Sequence, residues 1–118
     1  MISINTHFHP FRLNLRRREP VQLSVELINR GDKNKMLSVE LLLAKELALD
    51  KGGLHSGITK KIESLEPGER KQFYFDIYPK PIARNGELPV ILNVLEHYRN
   101  FNFVEKSSSK RMDLTVEG

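Results

Sequence analysis

The chain has no cysteine and no tryptophan among its 118 residues. Without cysteine there is no disulfide, no thiolate-bound metal and no cysteine nucleophile. No apolar run approaches the roughly 20 residues that a membrane-spanning helix needs, so no membrane insertion is expected. There is no Asn-x-Ser/Thr triplet, no phosphate-cradling glycine loop, no HExxH and no nucleophile elbow. Carboxylates are scattered rather than paired for acid–base work. These absences predict a protein that is not an enzyme, with no catalytic residue and no cofactor.

The opening segment, MISINTHFHPFRLNLRRR, is not a signal peptide. A signal peptide places its positive charges before an apolar core, whereas here they follow a polar, histidine-bearing stretch. Together with Met1 and the lack of cysteine, this leads us to expect a cytoplasmic protein, or an extracellular one if the chain is a piece of a longer protein. The net charge of +4 is unevenly placed. Arg12, Arg16, Arg17 and Arg18 lie in the first 18 residues, with no acidic residue among them, and the remainder is balanced.

What the chain does have is period-2 alternation between turn signals. In PVQLSVELIN, Val21, Leu23, Val25 and Leu27 share a face. NRGDKNK reads as a loop. In MLSVELLL, Leu37, Val39 and Leu41 alternate with Ser38, Glu40 and Leu42. AKELALDKGG favours a helix by composition, but Leu47 and Leu49 also alternate, and a short strand is expected there. GITKKIESL is a further strand. Glu66-Pro67-Gly68-Glu69 carries Pro and Gly at the positions that a type II turn requires, and reads as a hairpin turn into KQFYFDIY. There Phe73, Phe75 and Ile77 face one way and Gln72, Tyr74, Asp76 and Tyr78 the other. Pro79 to Pro89 is a proline-rich loop. VILNVLEHY reads as a central strand leaving the core, and Arg99-Asn100 as the tight connection of a hairpin. SSSKR reads as a bulge or break before Met112, Leu114 and Val116 resume a strand.

About seven to nine short strands with turn-rich loops and no long helical pattern predict an all-β antiparallel sandwich, one domain over residues 1–118. Its expected core includes Leu23, Val25, Phe73, Phe75, Leu92 and Val94.

The order of features resembles the immunoglobulin-like accessory domains, among them the cell-adhesion-related domains of bacteria and archaea and the sandwich modules appended to glycosidases. The matching elements are Asn29–Gly31, the Leu65–Glu69 corner, Pro79–Pro81 and Gly86. The chain lacks the acidic and asparagine pairs near the last hairpin that often mark the adhesion-related group, so no calcium role is expected there. The resemblance implies a binding or spacer module.

Three features could carry function. His7 and His9 project to one side of an extended chain and could share a zinc or copper ion, with His97 or Glu96 as a third ligand. Two local ligands fall short of a site, and no metal is expected. Arg12, Arg16, Arg17 and Arg18, near Phe8 and Phe11, could bind a polyanion such as nucleic acid. Phe11, Leu13 and Leu15 alternate with Arg12, Asn14 and Arg16, which instead suits an edge strand charged on its outer face. His97, Tyr98 and Arg99 sit at a hairpin tip, where Tyr and Arg favour protein contacts. Phe101 and Phe103 are expected to pack inward. The resulting expectation is a non-enzymatic interaction or structural module that acts on a protein partner through His97, Tyr98 and Arg99. The alternative is a polyanion-binding module using the arginine segment.

Overall fold

A computed structural model describes residues 1–17 and 19–118. Arg18 lies outside the described residues. The strands are β1 (Ile2–His9), β2 (Arg12–Asn14), β3 (Val21–Asn29), β4 (Lys35–Leu43), β5 (Leu47–Ala48), β6 (Gly57–Leu65), β7 (Arg70–Pro79), β8 (Gly86–Tyr98) and β9 (Asn100–Glu117). They form two sheets, β1-β3-β7-β5 and β2-β9-β8-β4-β6. Every pairing is antiparallel except that of β2 with the end of β9, which is parallel. The expected all-β sandwich is therefore found. Among the described residues, no helix is long and apolar enough to cross a membrane.

The core follows from alternation. Leu23, Val25, Leu27, Phe75 and Ile77 from one sheet meet Leu37, Val39, Leu41, Leu92, Val94 and Leu114 from the other. Apolar side chains on one face of each sheet have only the opposing sheet to bury them. Five of the six expected core residues are buried. Phe73 is half-buried and packs against the core margin.

The Glu66–Glu69 turn has the expected geometry. Glu69 N–H donates to Glu66 O at 2.9 Å, and Gly68 sits at φ 81°, a conformation that glycine adopts without a Cβ clash. It is a corner rather than a hairpin: β6 belongs to one sheet and β7 to the other. Asn29 ties the corner down. Its N–H donates to Glu69 O (3.1 Å), and its O accepts from Gly68 N–H (2.7 Å). Its fully buried side chain donates to Lys33 O (2.7 Å) and Leu65 O (2.8 Å) and accepts from Gly31 N–H (2.9 Å). One side chain thus joins the end of β3, the following loop and the end of β6.

Three further expectations are corrected. Ser107 to Arg111 form no break: they pair in continuous register with Leu95 to Ile91. β8 begins at Gly86, so the proline-rich loop is shorter than expected. Phe11 is exposed, because the chain is passing from one sheet to the other between β1 and β2; only Leu13 of the three alternating apolar residues is fully buried.

Candidate functional site

Near the end of β8, Glu96 and His97 are consecutive yet both buried. Strict alternation should expose one of them. Glu96 lies opposite Leu37, on the core-facing side, and its carboxylate sits 3.4 Å from Lys35 Nζ. His97 lies opposite Met36, on the other face. There it is covered by a segment that the register cannot accommodate. His97 pairs with Val104 and Tyr98 with Asn100, so Phe101, Asn102 and Phe103 have no partners across the hairpin and bulge out. Phe101 folds back against the imidazole, edge-on at 5.2 Å between centroids, and Lys61 Nζ lies 5.2 Å from the Phe101 ring centre.

The imidazole ties the bulge to β4 by two hydrogen bonds, one to each. Nε2 is 2.7 Å from Ser38 Oγ and Nδ1 is 3.1 Å from Phe103 O. The bulge is also closed by Asn102 N–H donating to Asn100 Oδ1 at 2.8 Å. Among the described residues, no buried side-chain nitrogen or oxygen lacks a partner. Arg99, at φ 68°, makes the turn itself.

The result is a tip that presents apolar surface. The Tyr98 and Phe103 rings lie 5.3 Å apart, 45% and 42% exposed, with Val104 49% exposed beside them. A cleft of about 450 Å³ runs below, lined by Lys33, Lys35, Glu63, Tyr98, Arg99 and Glu105. Of the three residues expected at this tip, Tyr98 and Arg99 are exposed and His97 is interior. Phe103 and Val104 were missed. Phe103 does not pack inward, because the Phe103 carbonyl rather than its ring is what His97 holds.

The arginine segment is divided. Arg12 lies on β2, with Nη1 3.4 Å from Glu117 Oε2 and its guanidinium 5.4 Å from the centre of the Phe11 ring. Arg16 and Arg17 are exposed in the turn that follows, where Asn14 Oδ1 accepts from Arg16 N–H at 2.9 Å. His7 and His9 are exposed, opposite Ser24 and Gln22 in the sheet that does not contain His97 and Glu96. Among the described residues, no three His, Cys, Asp or Glu side chains are grouped to hold a metal.

The strand order β1-β3-β7-β5 against β9-β8-β4 matches the two sheets of an immunoglobulin-like sandwich. Solved structures resemble the fold. A FixG-related protein from Vibrio parahaemolyticus is 12% identical, with 98% of this chain and 96% of that one covered at a TM-score of 0.55. Self-complemented MyfA, the major subunit of Myf fimbriae from Yersinia enterocolitica, is 15% identical, with 98% and 99% covered at 0.56. The sporulation control protein Spo0M from Bacillus subtilis is 16% identical, with 99% of this chain and 49% of that one covered at 0.52. No protein-family model and no curated protein sequence matches the chain. At these identities the likeness establishes the fold alone: the chain is an immunoglobulin-like β-sandwich.

Proposed function

We propose that this sandwich is a non-enzymatic module acting through protein–protein contact, with the β8–β9 tip as its contact surface. The observation that carries this reading is the exposed Tyr98–Phe103 ring pair, flanked by Val104 and Arg99 and held by the buried His97. Aromatic side chains and arginine on a rigid support are what contact hot spots are made of. Because the bulge is fixed before binding, little ordering cost falls on the complex. A fimbrial major subunit carries the same fold, which agrees with a structural or interaction role.

The test is capture from native extract by immobilised wild-type protein and by a Tyr98→Ala/Phe103→Ala variant. Loss of the captured protein, with a melting temperature within a few degrees of wild type, is expected, since exposed side chains contribute little to stability. Equal capture by both proteins overturns the reading.

A further inference from the structure

β7 is paired along only one side. Arg70 to Ile77 run against β3 without a break in register, while on the other side β5 covers only Tyr78 and Pro79. Among the described residues, no strand pairs with Arg70 to Asp76 on that side. Two hydrogen bonds fix which groups are free. Asn29 N–H reaches Glu69 O from the β3 side, and Lys80 N–H reaches Glu46 O on the β5 side. Backbone groups alternate sides along a strand. The odd-numbered residues of β7 therefore face β3, and Arg70, Gln72, Tyr74 and Asp76 point their N–H and C=O groups outward.

Such an edge is normally blunted. β6 carries Lys60 and Lys61 and a shift in its register with β4. β9 places Lys106 and Lys110 opposite Glu96 and Leu92, on the core-facing side. β1 has no Lys, Arg, Asp or Glu to set a register. β7 carries such a device only at its start, where Lys71 lies opposite the buried Leu27; beyond it there is no proline before Pro79, no break in register, and an aromatic, β-prone sequence.

We propose that this edge joins two copies of the chain, β7 against β7, antiparallel about a two-fold axis at Phe73. In that register Arg70 faces Asp76 of the second copy and Gln72 faces Tyr74 of the second copy. These are all residues with outward backbone groups, so every free N–H meets a free C=O. The charges are self-complementary, with one Arg–Asp pair at each end of the interface: Arg70 lies 3.6 Å from Glu26 of its own chain, but its side chain is 68% exposed and free to reach Asp76 of the second copy as well. A shift of two residues one way sets Arg70 against Tyr74. The other way sets it against Tyr78, whose backbone β5 already holds. Only the register centred on Phe73 satisfies both the charges and the free length. An isologous contact of this kind closes as a dimer and leaves no growing end. The hairpin tip takes no part in it.

Sedimentation of the full chain over a concentration series reads the dimer. Asp76→Arg is expected to weaken dimerisation at least about tenfold, because two like-charge pairs replace two attractive ones. Arg70→Asp/Asp76→Arg is expected to restore it to within about threefold, since the pairs re-form reversed. The chain has no cysteine of its own, so a cross-link can be placed cleanly. Gln72→Cys mixed with Tyr74→Cys is expected to give a disulfide-linked heterodimer, because facing Cα atoms in such a pair sit about 5.5 Å apart, within disulfide reach. Neither variant alone is expected to cross-link. Tyr98→Ala is expected to leave the dimer intact, which separates this proposal from that of the contact tip. A monomer at every concentration overturns the proposal. So does a dimer indifferent to Asp76→Arg, or one lost with Tyr98→Ala.

Discussion

His97 Nε2 lies 2.7 Å from Ser38 Oγ, across the β4–β8 pairing, while Nδ1 of the same ring meets Phe103 O at 3.1 Å. A carbonyl only accepts, so Nδ1 carries the proton; in the neutral ring Nε2 then accepts from the Ser38 hydroxyl. One side chain thereby couples a buried serine in the sheet to the bulge that shapes the tip. His97→Ala strips partners from both, and is expected to cost about 2–3 kcal/mol. For a chain of this length that lowers Tm by roughly 8–12 °C. Ser38→Ala, which leaves the Phe103 bond in place, is expected to cost only about 1 kcal/mol. Thermal melts of the two variants check the order; equal losses would contradict it.

Asn29→Asp is expected to be among the most damaging near-isosteric changes. The Asn29 amide nitrogen donates to Lys33 O and Leu65 O at 2.7 and 2.8 Å. A carboxylate in its place sets negative charge against two carbonyl oxygens in a buried position, at a cost of about 3–5 kcal/mol. Part of the loss should return in acid, where the carboxyl takes a proton and can donate once. Denaturant melts of the variant at neutral and acidic pH decide this; a loss independent of pH would show that charge is not the cause.

Legibility followed the range of the interactions. β3, β4, β7 and β8 could be read because burial on one face writes alternation into the local sequence. The Pro67-Gly68 turn was legible as geometry but not as topology: its residues set the reversal, whereas the partner of β7 is β3, supplied from far earlier in the chain. Asn29 looked like a turn former because its contact with Leu65 spans 36 residues. Ser107 to Arg111 looked irregular because a strand held by backbone pairing alone shows no apolar rhythm. At the tip, Tyr98 and Arg99 could be picked by residue type. The exposure of Phe103 could not, since it depends on which carbonyl His97 grasps.

Phe73 and Phe75 share a face of β7, their rings 6.3 Å apart, yet they differ in depth. Phe75 is buried at 6% exposure and Phe73 sits at the margin. Phe75→Ala is expected to cost about 3–5 kcal/mol, and Phe73→Ala about half of that, because the margin leaves a smaller cavity. Measured at concentrations where the chain is monomeric, comparable losses at the two positions would refute the difference in depth.

Asp50 organises the loop after β5. Its carboxylate accepts from Leu54 N–H at 3.0 and 3.1 Å and from His55 N–H at 2.7 Å. The His55 backbone bond, then that of Leu54, hold its pKa below the ordinary aspartate value. A depressed folded pKa stabilises above the unfolded value and is lost as pH falls through the folded one. The Leu54 and His55 amides are therefore expected to lose hydrogen-exchange protection only below the ordinary aspartate range. In Asp50→Asn the acid transition of those two amides should vanish. Its persistence would assign it to another group.

The arginine segment is expected to be a weak polyanion binder. Arg12, exposed, is partnered by Glu117 at 3.4 Å, and Arg16 and Arg17 are the other exposed cations of the segment among the described residues. Each phosphate neutralised contributes about −0.9 to the slope of log affinity against log salt for duplex DNA, so a segment of only four arginines, one of them paired with Glu117, gives a shallow slope and little binding at physiological ionic strength. Arg16→Ala/Arg17→Ala/Arg18→Ala should then change little at that salt, and lower the slope by about one per lost contact where low salt permits binding. A gel-shift titration at two salt concentrations reads both quantities. Sub-micromolar affinity that persists at physiological salt and disappears in the triple variant would make the arginine turn, rather than the hairpin tip, the functional surface.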